Sequence, residues 1–339
     1  MMRIRQMLYR GLLVVVTVAG PACFLQADAD SAPVATRWTG VLFDDFSYSG
    51  ASDPILARHG WTVRSGTGGP GVPGVTWSAL AVSFPEGLLT LDSSTDGTAS
   101  GTAQSALFTT YQRFYEGTYA ARVRFNDAPL SGPDGGHVVQ AFFTISPLRA
   151  DCDLDYSELD FEYLPNGGWG TQDTRLYATS WETYQAHPWK AVNTHTAEQV
   201  SFAGWHDLVI QVSAGRVRYY VDGRLFADHG GIYYPEQPMR VQFNQWFPDL
   251  DGASAPRTHR QQVDWFYHSK NEVVSPTAVL NRVASFRTSG IAFHDTVHPG
   301  RPKPASPDLT IAPCETAQSW TAGHHPQGRV QRRYEQHRP

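Results

Sequence analysis

The sequence predicts an all-β fold: an antiparallel sandwich of the jelly-roll kind, with a short C-terminal helix and a disordered tail. Three observations carry this. Between Val41 and Ser269, runs such as GTYAARVRF, HVVQAFFTI, WHDLVIQV and MRVQFNQWF are rich in Val, Tyr, Phe and Thr, and Gly, Pro, Asn and Asp punctuate the gaps. No stretch before residue 275 keeps a helical period for three turns. VSAGRVRYYVDGRLFAD carries two turn signals, Ala214-Gly215 and Asp222-Gly223, which suit consecutive hairpins.

Taken in chain order, residues 1–29 have the form of a secretory signal. Arg3, Arg5 and Arg10 form a basic start, Leu12 to Ala19 an apolar stretch, and Ala27-Asp28-Ala29 a small-x-small cleavage site. A lipid anchor at Cys23 is the rival, but Gly20-Pro21-Ala22 fits it poorly. Residues 30–39 are a linker and 40–270 the β-jelly-roll domain. Within that domain, SGTGGPGVPGV (65–75) and DAPLSGPDGG (127–136) are surface loops by composition. Residues 271–299 form a helical extension. In it Ser275 is the N-cap, Pro276 the first helical residue and Gly290 the stop. Val279, Val283 and Phe286 share one face, which predicts packing on the sandwich. Residues 300–339 hold too few aliphatic side chains to offset ordering entropy, so they are a disordered tail.

A net charge of −5 gives no reason to expect a nucleic acid or an anionic membrane as partner. No apolar run approaches the roughly 20 residues needed to span a bilayer. A soluble, secreted monomer is the expectation. After signal cleavage two cysteines remain, Cys152 and Cys314. They fit no zinc spacing, and their wide separation weighs against a disulfide.

The stretch DYSELDFEYLPNGGWG (155–170) places Glu158, Asp160 and Glu162 at alternate positions, with Leu159 and Phe161 between them. On a strand the three acids share one face. A solvated surface strand would explain a charged stripe, but acids are poor strand formers and three in register repel. Retaining glycoside hydrolysis would give them a purpose. It needs an ionised nucleophile and a protonated acid, and neighbouring carboxylates split each other's pKa values. Alpha carbons at i and i+4 lie about 13 Å apart on a flat strand, so the sheet must be concave for the two to cooperate. Asp151, Asp153, Asp155 and Glu162 also trace the acidic skeleton of a calcium loop. Tyr156 stands where that loop needs Gly, and no helices flank it.

ELDFE resembles the Glu-x-Asp-x-Glu signature of glycoside hydrolase family 16, concanavalin-like β-jelly-roll endo-glycanases. YEGTYAARVRF, GWHDLVIQVSAGRVRYYVDGRLF, VQFNQWFPD and VDWFYHS resemble flanking strands of that family in the same order, over residues 40–270. The resemblance implies Glu158 as nucleophile, Glu162 as general acid/base and Asp160 as the group tuning them. The regular spacing between Asp160 and Glu162, without a bulge residue, is similar to that of family members acting on 1,4-containing β-glucans. VVQAFFTI replaces the family's Trp-Pro-Ala-Phe-Trp platform, which leaves sugar specificity open.

Sugar rings stack on indoles, so Trp169, Trp181 and Trp246 are candidate substrate contacts, with Gln140 and His206 beside them. The resemblance also implies a structural calcium held through Asp45 and Asp264; the chemistry itself requires no cofactor. The expected activity is retaining endo-hydrolysis of a β-glucan-type polysaccharide. A transglycosylase and a non-catalytic carbohydrate-binding module are the alternatives, because fold does not fix function.

Overall fold

A computed structural model describes residues 40–250, 255–297 and 314. The expected signal segment, the linker and, Cys314 apart, the tail lie outside the described residues.

The alternating runs form two antiparallel layers. In the outer layer the long strand Arg257–Lys270 pairs with Gly117–Phe125 on one side. On its other side it meets Leu89–Thr95 and then Val41–Asp44. Gly117–Phe125 leads on to the strands Gly204–Ser213, Arg216–Val221 and Arg224–Gly230. The inner layer runs Lys190–Glu198, Arg175–Gln185, Glu158–Leu164, Val139–Ile145, Arg240–Trp246, Ala103–Thr109 and Trp61–Val63. The sheet curves into a near-barrel.

Both hairpin turns form where the sequence signals them. Ala214 and Gly215 have φ of 52° and 73°, Asp222 and Gly223 51° and 79°, the paired left-handed conformation of a tight two-residue turn. Leu159, Phe161 and Tyr163 are fully buried between the layers with Phe142, Tyr219, Phe243 and Phe266. The rings of Phe142 and Phe243 stack with centroids 5.2 Å apart. One face of the acidic strand is therefore anchored in the core, which fixes the direction of the other.

The helix Pro276–Thr288 starts as expected, with the Ser275 side chain accepting from the Ala278 amide and Pro276 in the first turn. Gly290 follows it at φ +68°. Val279, Val283 and Phe286 are buried against Val41, Phe43, Trp265 and Tyr267, on the side of the outer layer away from the core. Phe286 stacks on Phe43 at 4.8 Å.

Two expectations need correction. The stretch 65–75 is not all loop, because Gly66–Thr67 pairs with Thr76–Trp77, and the buried Trp77 donates its indole N–H to the Gly68 carbonyl at 2.8 Å. Cys152 and Cys314 do form a disulfide. Distance along the chain was a poor guide, since folding brings their alpha carbons to 5.7 Å.

Candidate active site

The acidic strand pairs without a break on both sides. Glu158 stands between Ile145 and Trp181, Asp160 between Phe143 and Thr179, and Glu162 between Ala141 and Tyr177. No bulge interrupts it, as the sequence spacing implies. All three acids line a cleft of about 900 Å³ on the exposed face of the inner layer, within the size range of ligand pockets. The cleft runs across the strands. Trp181, Tyr184 and Trp189 line one end, the acids the middle, and Arg240, Phe108 and Arg64 the other.

Hydrogen bonds divide the acids into roles. Asp160 is buried, 3% exposed, and Trp181 Nε1 donates to its Oδ2 at 2.8 Å. Burial, with the charges of Glu158 and Glu162 on either side, raises the Asp160 pKa well above its ordinary value. Asp160 therefore keeps its proton and shares it in a hydrogen bond with Glu158. The Tyr156 hydroxyl also donates to Glu158, at Oε2. Burial pushes Glu158 up to about 7, and these two donors hold it from rising further. Among the described residues no such donor acts on Glu162; burial and then the Glu158 charge push it up to about 8. Near neutral pH Glu158 is thus the readiest to ionise and Glu162 the readier to stay protonated. All three acids face one cleft, and the sheet that carries them is curved rather than flat.

Trp169 and Trp246 wall the same cleft, ring centroids 5.5 Å apart, and Trp181 lies beside Asp160. The loop that carries Trp169 turns at Gly167, φ +80°, where a β-carbon would stand 2.3 Å from the Thr171 carbonyl oxygen. Glycine is required there.

Gln140 and His206 do not belong to the cleft. Gln140 pairs with Tyr163, so its side chain goes to the core face, where it bonds the Asn126 backbone at 3.0 and 2.7 Å. His206 lies on an outer-layer strand and contacts Asp222 at 2.7 Å. The residues proposed for calcium do not fit one. Both Asp264 carboxylate oxygens are bound by the Arg287 guanidinium, and Asp45 Oδ1 accepts from the Ser47 amide. Among the described residues no group of three His, Cys, Asp or Glu could hold a metal. The loop acids are likewise engaged, since Arg149 bridges Asp153 and Asp155.

Sequence reasoning missed Tyr156, Phe143, Trp189, Asn244 and the two cleft arginines. Strand parity reaches some of them. Tyr156 is two residues before Glu158, and Phe143, rather than Phe142, is the cleft-facing aromatic of AFFT. Asn244 pairs with Ala141 in the row of Glu162, and among the described residues neither polar atom of its buried carboxamide has a partner. Only cross-strand register reveals that position.

The model of the family described as Glycosyl hydrolases family 16 matches residues 74–267, more than half of the chain. The chain belongs to glycosyl hydrolases family 16. Family 16 enzymes act on O-glycosyl bonds, and the acidic strand lies inside the matched region. Two solved structures show the shared fold. A prokaryotic β-1,3-1,4-glucanase (lichenase) derived from a mouse hindgut metagenome superposes with a TM-score of 0.50 at 20% identity, covering 68% of this chain and 99% of its own. Porphyranase B from Zobellia galactanivorans superposes with a TM-score of 0.50 at 13% identity, covering 67% of this chain and 90% of its own. No curated protein matches the sequence.

Proposed function

We propose that this family 16 glycoside hydrolase is a secreted, retaining endo-β-glycanase in which Glu158 is the nucleophile and Glu162 the general acid/base. The observation that carries the roles is the asymmetry of donors. Tyr156 and Asp160 both donate to Glu158 and favour its carboxylate, while burial and then repulsion from Glu158 keep a proton on Glu162.

In the first step the Glu158 carboxylate attacks the anomeric carbon. The glycosidic C–O bond breaks as Glu162 passes its proton to the leaving oxygen, and a glycosyl ester of Glu158 forms. In the second step Glu162, now a carboxylate, takes a proton from water. That water adds to the anomeric carbon and frees Glu158, so two inversions give net retention. Asp160 retains its proton throughout and steadies the Glu158 oxygen as charge leaves and returns. A cleft whose lining runs across several strands to either side of the acids suits attack within a chain rather than at its end. The basic and apolar pattern of residues 1–29 supports export, and no described helix is long and apolar enough to cross a membrane.

Reducing-end release from mixed-linkage glucan, laminarin, xyloglucan, agarose and κ-carrageenan tests the activity, with the product anomer followed by NMR. Release of the β-anomer, abolished in Glu158→Gln, is expected. Initial release of the α-anomer would sink the double displacement, and activity surviving in Glu158→Gln would remove the nucleophile assignment.

A further inference from the structure

One end of the cleft is basic. Arg240 pairs with Ile145, which pairs with Glu158, so these three residues form one row across the inner layer. At about 4.8 Å per strand, the Arg240 backbone lies roughly 10 Å from that of Glu158. Arg64 extends the edge strand, its amide bonded to the Ala106 carbonyl at 3.0 Å, which places it in the row of Asn244 and Glu162. Both arginines line the cleft.

Their surroundings hold them in place but leave them uncompensated. Arg64 lies over the Trp77 ring at 4.0 Å and donates to the Gly68 and Gly69 carbonyls. Arg240 lies over Phe108 at 4.9 Å, and its Nε is buried with no hydrogen-bond partner among the described residues. No described carboxylate pairs with either guanidinium. Burial and the neighbouring Arg240 charge push Arg64 down to about 10, and burial lowers Arg240 as well. Two like charges lining one cleft, half-buried and clamped on aromatic faces, are costly without an anion beside them. Elsewhere the chain pairs its arginines readily, as at Arg113–Asp295, Arg260–Asp92 and Arg282–Glu272.

We infer that Arg64 and Arg240 form a subsite for an anionic substituent, a sulfate ester or a uronate carboxylate, on a sugar next to the one attacked. The substrate class is therefore an anionic β-linked polysaccharide rather than a plain β-glucan. The inference rests on the glycanase reading above. Guanidinium groups suit both substituents, since each presents oxygens that two N–H donors can bridge. Aromatic stacking limits the movement of both side chains, so little rotamer freedom is lost on binding.

The test separates binding from catalysis. The full-length Glu158→Gln variant is run by affinity electrophoresis in gels containing κ-carrageenan (sulfate), hyaluronan (uronate), or laminarin and mixed-linkage glucan (neutral). Retardation is expected in one or both anionic gels and to be weak in the neutral ones. Adding Arg64→Ala or Arg240→Ala should weaken that binding by about tenfold or more each, the scale of a lost charged hydrogen bond. Arg58→Ala, on an exposed helix away from the cleft, should leave it unchanged. Which anionic gel retards the protein tells sulfate from carboxylate.

Equal or tighter binding to the neutral glycans would overturn the inference. So would anionic binding that survives both arginine substitutions, or no binding to either anionic glycan. The glycanase reading is judged separately, on wild-type reducing-end release. Cleavage of a neutral glucan with arginine-independent rates would retain the enzyme and discard the subsite.

Discussion

Trp181 Nε1 donates to Asp160 Oδ2 at 2.8 Å, so the central acid of the strand is held from the neighbouring strand by an indole that also lines the cleft. A protonated carboxyl can donate to only one partner, and fixing one Asp160 oxygen on Trp181 leaves the other to face Glu158. Asp160→Asn keeps a donor toward Glu158 and an acceptor for Trp181, so kcat should fall modestly, by about tenfold. Asp160→Ala removes both contacts and should cost about a hundredfold or more, the range found for general acid–base support. Equal losses in the two variants, measured as kcat on a soluble substrate, would show that the hydrogen-bonded arrangement is not what matters.

The activity should follow a bell-shaped pH profile. Glu158 must be ionised and Glu162 protonated, and their pKa values lie near 7 and 8, so kcat/KM should peak between neutral and mildly alkaline pH. The two limbs belong to the coupled trio as a whole. Tyr156→Phe removes a donor that favours the Glu158 carboxylate, so the acid limb should move to higher pH while the alkaline limb moves less. An acid limb unmoved by Tyr156→Phe would mean that this hydroxyl does not tune the nucleophile.

The same groups make stability depend on pH. Glu158, Glu162 and Asp44 all have folded pKa values raised above their ordinary ones, chiefly by burial. Below pH about 4 the folded and unfolded chains are equally protonated at these sites, and their contribution is fully present. As pH rises toward 8 the unfolded chain ionises first, so that contribution is lost. Glu162→Gln cannot ionise, and its Tm should exceed that of the wild type at pH 8 by more than at pH 5. A Tm difference that does not change with pH, by calorimetry at both values, would contradict the raised Glu162 pKa.

How far the sequence could be read is clearest along the acidic strand itself. Alternation assigned Glu158, Asp160 and Glu162 to one face and Leu159 and Phe161 to the core, because strand parity is a local property. Gln140 failed by the same rule: counted from Phe143 it falls on the core side, and the register that settles this comes from the neighbouring strand. Arg64, Arg240 and Asn244 were invisible for a different reason. They come from strands far apart in the chain, and their shared cleft arises only when the inner layer is assembled. The Cys152–Cys314 bridge was likewise out of reach, since two cysteines specify no geometry until the chain folds.

The Arg287 contact with Asp264 carries a prediction about metal. Its guanidinium occupies both oxygens of the carboxylate that would otherwise be offered to calcium, the nearer at 2.7 Å. Calcium prefers six to eight oxygen ligands and would have to displace this cation. Treatment with a chelator should leave Tm and activity unchanged. A fall of several degrees, restored by calcium, would show that a metal is bound through other oxygens.

The C-terminal helix should contribute stability without touching the chemistry. Phe286 is 1% exposed and stacks on Phe43 across the outer layer, whose opposite face packs on the core that supports the acidic strand. Phe286→Ala would leave a cavity costing about 3–5 kcal/mol, and Tm should drop by several degrees. Below that transition kcat and KM should match the wild type, because no residue of the helix lines the cleft. An unchanged Tm would mean that the extension only rests on the sandwich. A changed kcat in still-folded enzyme, with folding checked by near-UV circular dichroism, would instead show that the helix sets the curvature on which the Glu158–Glu162 pair depends.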